Sequence, residues 1–135
     1  MSQTYLSQIT ALLAAKGYAV IETGPGSLRI QETDSAIALQ AVLEGEILFF
    51  SMVCATVPSA KLTPTVLRKL LDVNNGISTS HFQTFEADGS ITISLNNFCK
   101  LQSMGEDDED DILSCISFLL VDVVNARDLL AADLA

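Results

Sequence analysis

The chain has 135 residues, 49% of them apolar, and a net charge of −10. This length suffices for one domain with a substantial core, and the apolar content argues against a disordered chain. Residues 1–100 hold six Lys/Arg and eight Asp/Glu, a net −2, whereas residues 101–135 hold one Arg and nine Asp/Glu, a net −8. Such a field repels phosphate backbones and anionic lipids, so nucleic acids and membrane surfaces are poor partners.

The compartment is predicted from the N-terminus and the cysteines. The segment MSQTYLSQ lacks the basic start and apolar stretch of a signal peptide, and no apolar run is long enough to cross a bilayer. Cys54, Cys99 and Cys115 form no CxxC pair and lie in apolar segments, where reduced, buried thiols are expected. We therefore expect a cytoplasmic protein with no membrane insertion.

The N-terminal half is predicted to form a helix followed by strands. TYLSQITALLAAKG carries apolar residues at helical spacing from Leu6 to Leu13 and ends at Gly17. YAVIET and LRIQE read as two strands around the turn GPGS, with Leu28 and Ile30 inward. AIALQAVL and EILFFSMVCATV then predict a hairpin. Because ILFFSMVCATV barely alternates, we expect it to be a central strand covered on both faces.

The second half is predicted to form a helix, a hairpin and a long helix. In LTPTVLRKLLDVNNG, Thr63 is the expected N-cap, Pro64 the first helical residue and Gly76 the stop. STSHFQTFE and SITISLN are the strands of a second hairpin around Asp88-Gly89. DDEDDILSCISFLLVDVVNARDLLAADLA is a long C-terminal helix.

These elements predict the fold class. They define one α+β domain over residues 1–135, with three helices and an antiparallel sheet of five to six strands. The predicted order is α-β-β-β-β-α-β-β-α.

The C-terminal helix is apolar over most of its circumference. One stripe is suited to pack on the sheet: Ile112, Ile116, Leu119, Leu120, Val123 and Leu130. A second face is predicted to be a partner or dimer surface: Leu113, Phe118, Val121 and Val124. A helix with two apolar faces needs cover on two sides, so we expect a homodimer.

Six consecutive acidic residues open this helix, at 106–111. Their spacing fails the EF-hand pattern, because positions six and twelve, counted from Asp107, are Ile112 and Phe118. A looser metal site remains open, since Asp107 and Asp111 share a helix face. The run is also typical of a helix start or a solvated charge, which the helix dipole stabilises. A third interpretation is a dock for a basic partner formed by all six residues: Glu106, Asp107, Asp108, Glu109, Asp110 and Asp111.

No pattern predicts catalysis or a cofactor. His81 is the only histidine and has no local companion for zinc binding or general-base chemistry. Cys115 follows the acidic turn closely, which is the opposite of an activating environment. GPGS joins two strands and does not open a helix, so it lacks the geometry of a phosphate-binding loop. We expect no enzyme and no cofactor.

The order of elements resembles the type III secretion chaperone-like architecture, which includes class I secretion chaperones and the bacterial YbjN-like proteins. The segment LLDVNNGISTSHFQTFEADGSITISLNNF, followed by the long apolar helix, is also similar to the YjfI family, whose members are associated with phage-shock-type proteins. The resemblance implies a non-catalytic, dimeric, protein-binding module, chaperone-like or regulatory, that binds an extended client segment. The alternative hypothesis is a small-ligand or divalent-metal sensor that uses residues 106–111.

Overall fold

The structure is a computed structural model that describes residues 2–35 and 37–134, with side chains from Tyr5 onward. The elements are α1 (Ser2–Ala15), β1 (Tyr18–Gly24), β2 (Ser27–Glu32), β3 (Ala38–Glu44), β4 (Ile47–Pro58), a short 3-10 helix (Ser59–Lys61), α2 (Pro64–Leu71), β5 (His81–Ala87), β6 (Ser90–Lys100) and α3 (Glu106–Leu134). The strands form one antiparallel sheet in the order β1-β2-β3-β4-β6-β5. The predicted α+β class and element order are confirmed, with six strands.

The chain divides into two compact units. One contains the N-terminal residues through Ser51 together with Phe98–Ile116, and the other contains Met52–Asn97 and the residues from Ser117 onward. The strands β4 and β6 and the helix α3 each contribute residues to both units. The single domain over residues 1–135 stays a prediction, and each unit is described by itself below.

In the first unit, α1 lies against β1 and β3. Its apolar stripe supplies Leu6, Ile9 and Leu13 to the core, all at most 4% exposed. On β2, Leu28 and Ile30 are buried, as predicted. Alternation on a strand and the three-to-four residue spacing on a helix thus direct the same kind of residue to one shared core.

The β1–β2 turn depends on Gly26. This glycine has φ +74°, its carbonyl accepts a hydrogen bond from the Leu43 amide at 2.8 Å, and an added Cβ would lie 3.1 Å from the Leu43 carbonyl oxygen. A side chain here would be strained by the backbone conformation and would also crowd β3. The turn therefore requires glycine.

The strand β4 is central, as predicted, but it is not covered on both faces. Its even-numbered residues from Leu48 to Cys54 are buried, whereas Phe49 is 39% and Val53 is 51% exposed. In the described part of the chain, no element covers these two side chains fully. The apolar run therefore reflects one core face and one apolar exposed face, and the prediction of two covered faces is wrong for the single chain.

In the second unit, α2 begins as predicted and ends earlier than predicted. The Val66 amide donates to the Thr63 hydroxyl at 3.3 Å, and Pro64 is the first helical residue. The helix ends at Leu71, five residues before Gly76. The Asp72 carboxylate accepts from the Asn74 amide at 2.8 Å, so a side-chain hydrogen bond replaces the next helical turn.

The core of the second unit joins α2, β6 and α3. Its buried members are Val66, Leu70, Ile91, Ile93 and Leu130. The hairpin that supplies β6 turns at Asp88 and Gly89, with φ of +54° and +78°, as a two-residue hairpin turn requires. The left-handed backbone conformation of these two residues fixes the register of the hairpin, and this register directs Ile91 and Ile93 inward.

The apolar stripe of α3 is confirmed. Five of its six predicted members are at most 2% exposed: Ile112, Ile116, Leu119, Val123 and Leu130. Leu120 is half-buried, and Ala126 joins the stripe with no exposed surface. Together they form the continuous inner side of the 29-residue helix.

Candidate partner-binding surfaces

The acidic segment 106–111 forms the first turns of α3. The helix starts with hydrogen bonds from the amides of Asp108 and Glu109 to the Gly105 carbonyl, at 3.1 and 3.2 Å. Four side chains are exposed: Glu106, Asp107, Asp110 and Asp111. Negative charge at this end is stabilised by the helix dipole, and these four carboxylates are accessible to a partner.

Asp108 is buried and serves the fold. It is 2% exposed, and its Oδ2 accepts hydrogen bonds from the amides of Gln102 at 2.6 Å and Met104 at 2.8 Å. Ser103 and Met104 have positive φ values of 63° and 55°, so the carboxylate holds a strained turn between β6 and α3. Asp108 is not available to a basic partner, which corrects the predicted dock at this position.

The second apolar face of α3 is exposed. Phe118, Val121 and Val124 are 46%, 58% and 49% exposed, and they follow one another at three-residue spacing. Residues at this spacing lie within about a third of the helix circumference. Leu113, the fourth predicted member of this surface, is half-buried. We call Phe118, Val121 and Val124 the α3 patch.

Asp122 lies on the inner side of α3 with no exposed surface. Its Oδ1 accepts from the amide and the hydroxyl of Ser78, both at 2.9 Å, and its Oδ2 accepts from the Ser80 amide at 3.3 Å. A buried carboxylate requires such donors. This residue therefore holds the segment that leads into β5, a role that the sequence does not reveal because the partners lie 42 and 44 residues away.

In the first unit, two aromatic side chains lie on the exposed face of the sheet. The rings of Phe49 on β4 and Phe98 on β6 have centroids 6.0 Å apart with an interplanar angle of 43°. Phe98 is 58% exposed. The pair has the tilted geometry that aromatic rings prefer, and it presents apolar surface to solvent.

The edge of the sheet at β1 adjoins a groove. The groove has a volume of about 380 Å³. Five residues of α1 and one of β1 line it: Leu6, Ser7, Thr10, Ala11, Ala14 and Glu22. In the described part of the chain, only β2 pairs with β1, so the outer backbone groups of β1 have no strand partner. The small side chains of α1 leave room beside this edge.

The three thiols differ in environment. Burial raises the pKa of the Cys54 thiol to about 11, although the nearby Arg127 opposes the shift. A hydrogen bond between Cys99 and Cys115 raises the pKa of Cys99 and lowers the pKa of Cys115. Asp111 raises the pKa of Cys115, as expected beside an acidic turn, but the hydrogen bond with Cys99 is the larger effect. His81 is exposed at the start of β5.

Among residues 2–35 and 37–134, no group of three or more His, Cys, Asp or Glu side chains is arranged to hold a metal ion. No helix in the described ranges is both long and apolar enough to span a membrane.

Comparison with known proteins shows the fold. No protein-family model and no curated protein matches the chain, so the resemblance to the YjfI family stays a prediction. Among solved structures, YbjN from E. coli, a proposed transcription regulator, is similar with a TM-score of 0.70 and 13% identity, over 96% of this chain and 93% of that chain.

A second similar structure is a chain of the heterodimeric ExoU–SpcU complex of the type III secretion system of Pseudomonas aeruginosa. It has a TM-score of 0.62 and 22% identity, over 90% of this chain and 96% of that chain. At these identities the likeness extends to the fold alone. The chain therefore has the YbjN-like, type III secretion chaperone-like fold that the order of its elements predicts.

Proposed function

We propose that the chain is a non-catalytic, chaperone-like protein-binding module that binds an extended segment of a partner protein and forms a homodimer. The observation that carries this proposal is the outer edge of β1, which has no strand partner among the described residues and lies beside the groove of α1. An extended peptide can add a strand to such an edge and place alternate side chains in the neighbouring groove. The fold shared with a chain of the ExoU–SpcU complex supports a role in protein binding.

The partner segment should combine apolar and basic residues. The groove walls include Leu6, Ala11 and Ala14, which favour apolar side chains, whereas Glu22 offers a carboxylate at its border. The whole chain carries a net charge of −10, which attracts basic segments and repels acidic ones. The four exposed carboxylates at the start of α3 add to this field.

A matched pair of alanines tests the site. Ala14 lines the groove, and its neighbour Ala15, also exposed, does not. The probe is a fluorescent peptide of alternating Val and Lys, and its binding is measured by anisotropy. Ala14→Trp fills the groove and should weaken binding about tenfold, the loss expected for one large steric block, whereas Ala15→Trp should bind as the original chain does.

The control peptide alternates Val and Glu. It has the same apolar content and the opposite charge, so it should bind much more weakly than the Val/Lys peptide. Equal binding of both peptides would exclude a basic partner segment. Equal binding by the Ala14→Trp and Ala15→Trp variants would show that the groove is not the site, and the proposal would be abandoned.

The α3 patch supports the proposed dimer. An exposed surface of one Phe and two Val side chains on a single helix face is typical of a protein interface. Val121→Asp introduces a charge at the most exposed of the three and should convert a dimer to a monomer in light scattering coupled to size exclusion. Ala87→Asp introduces the same charge at an exposed position of β5, outside α3, and should leave the dimer intact. A monomer in the original chain would refute the dimer and leave the groove test unaffected.

A further inference from the structure

Two thiols meet where the end of β6 approaches α3. The Cys99 side chain is 8% exposed on the inner side of β6, and Cys115 is half-buried on α3. The Cys115 thiol donates to the Phe98 carbonyl oxygen at 3.7 Å, so its sulfur lies beside the backbone that carries Cys99. The two thiols also form a hydrogen bond with each other. The turn held by Asp108 lies in the segment between them.

The two sulfurs are chemically unequal. The hydrogen bond with Cys115, together with burial and the charges of Asp111 and Asp108, raises the pKa of the Cys99 thiol, so Cys99 keeps its proton and acts as the donor. The same hydrogen bond lowers the pKa of the Cys115 thiol, although burial and Asp111 oppose the shift. Cys115 is also the more accessible of the two, half-buried where Cys99 is 8% exposed, so a reactant in solution reaches Cys115 first, and the thiolate is the form that attacks it.

We propose that Cys99 and Cys115 form an oxidation site that takes a hydroperoxide as its substrate and closes to a disulfide within one chain. The Cys115 thiolate attacks one peroxide oxygen, the O–O bond breaks, and the released hydroxide takes up a proton to leave as water. The product is a sulfenic acid at Cys115. The Cys99 sulfur then attacks the Cys115 sulfur, and the sulfenic hydroxyl leaves with the Cys99 proton as a second water. Two thiols are oxidised and one hydrogen peroxide is reduced to two waters.

The disulfide would connect β6 to α3. It would close a loop from Cys99 to Cys115 that contains the Asp108 turn, and it would remove the hydrogen bond that Cys115 donates to Phe98. A cross-link over such a loop restricts the unfolded chain and raises the melting temperature. The site uses neither the groove nor the α3 patch, so the inference does not depend on the proposed function.

The test uses the full-length reduced chain and hydrogen peroxide as the probe. Samples taken over time are unfolded, alkylated and digested, and the thiols are quantified by mass spectrometry. Cys99 and Cys115 should lose their reactivity towards alkylation together, a peptide joining them should appear, and their loss should be at least about tenfold faster than that of Cys54. The oxidised chain should melt at a higher temperature and should return to the original value after reduction.

Three serine variants provide the controls. Cys99→Ser should stop at the sulfenic acid of Cys115, which dimedone traps, and Cys115→Ser should leave Cys99 reduced. Cys54→Ser, on β4, should form the disulfide as the original chain does. If a variant at Cys99 or Cys115 does not fold by circular dichroism, the peptide maps of the original chain and of Cys54→Ser decide the question. Oxidation of Cys54 first, or a disulfide only between two chains on a non-reducing gel, would overturn the inference.

Discussion

Replacing Asp122 by Ala should destabilise the second unit strongly. The carboxylate has no exposed surface and accepts from the Ser78 amide, the Ser78 hydroxyl and the Ser80 amide. The substitution removes an acceptor from three donors and leaves a small void on the inner side of α3. The segment before β5 would lose its side-chain link to the helix.

The magnitude follows from the geometry of the three hydrogen bonds. The two from Ser78 to Oδ1 are 2.9 Å long and the one from Ser80 to Oδ2 is 3.3 Å long, and the Ser78 hydroxyl also lies 3.1 Å from Oδ2. A hydrogen bond to a charged group contributes roughly 1.5–3 kcal/mol to stability. This range, applied to each of the two short bonds, is the largest loss that the substitution could cause. Ser78 is exposed, so water replaces part of this loss, and the variant no longer has to bury a charge. We therefore expect a net loss of about 2–3 kcal/mol in the free energy of unfolding.

Urea unfolding monitored by circular dichroism measures this loss, and the melting temperature should fall by roughly 6–12 °C. Asp128→Ala is the matched control, because Asp128 is exposed on the same helix and its loss should change stability by at most about 0.5 kcal/mol. Hydrogen exchange adds a local measurement, since the amides of Ser78 and Ser80 should exchange faster in Asp122→Ala only. A loss of stability no larger than in the control, with unchanged exchange, would refute the reasoning.

Three further substitutions test the turns and the helix starts by urea unfolding. Gly26→Ala should lower the free energy of unfolding by about 1 kcal/mol more than Gly89→Ala does. Both glycines have positive φ, but only at Gly26 would the new Cβ crowd a backbone oxygen, that of Leu43. Equal losses in the two variants would contradict this reason. Thr63→Ala should cost about 1 kcal/mol through the lost N-cap of α2, and Thr63→Ser should restore most of it. Asp108→Ala should cost about 2–3 kcal/mol, because two amides lose a buried acceptor; a loss below 0.5 kcal/mol, typical of a surface change, would mean that the turn does not depend on this carboxylate.

The predicted elements follow from local signals. Thr63 and Pro64 are residue types that favour the N-cap and the first position of a helix, so the start of α2 is predictable from sequence. Asp88-Gly89 favours a two-residue hairpin turn, so the position of this turn is predictable as well. The end of α2 is not. Asp72 and Asn75 bind nearby backbone groups, and this competition with the helix depends on the path of the following segment.

The candidate surfaces are predictable only in part. The apolar period of α3 separates a buried stripe from the α3 patch, and the structure has both. The acidic run gives no sign that Asp108 turns inward, because the reason lies in the strained turn at Ser103 and Met104. Cys99 and Cys115 likewise meet across the turn between β6 and α3, whose path spacing alone does not define.

The remaining mismatch between pattern and structure occurs in two separate elements. The sequence predicts cover on both faces of β4 and on both sides of α3, and each element has apolar side chains that the single chain leaves in contact with water. Phe49 and Phe98 lie on the sheet, and Phe118 and Val121 lie on the helix, each at least 39% exposed. Single exposed apolar residues are normal on a surface, but a pair of contacting rings and a row along one helix form apolar patches, and such patches mark sites of protein interaction. Cover by another chain would give these residues a physical reason, and it is the interface that we propose.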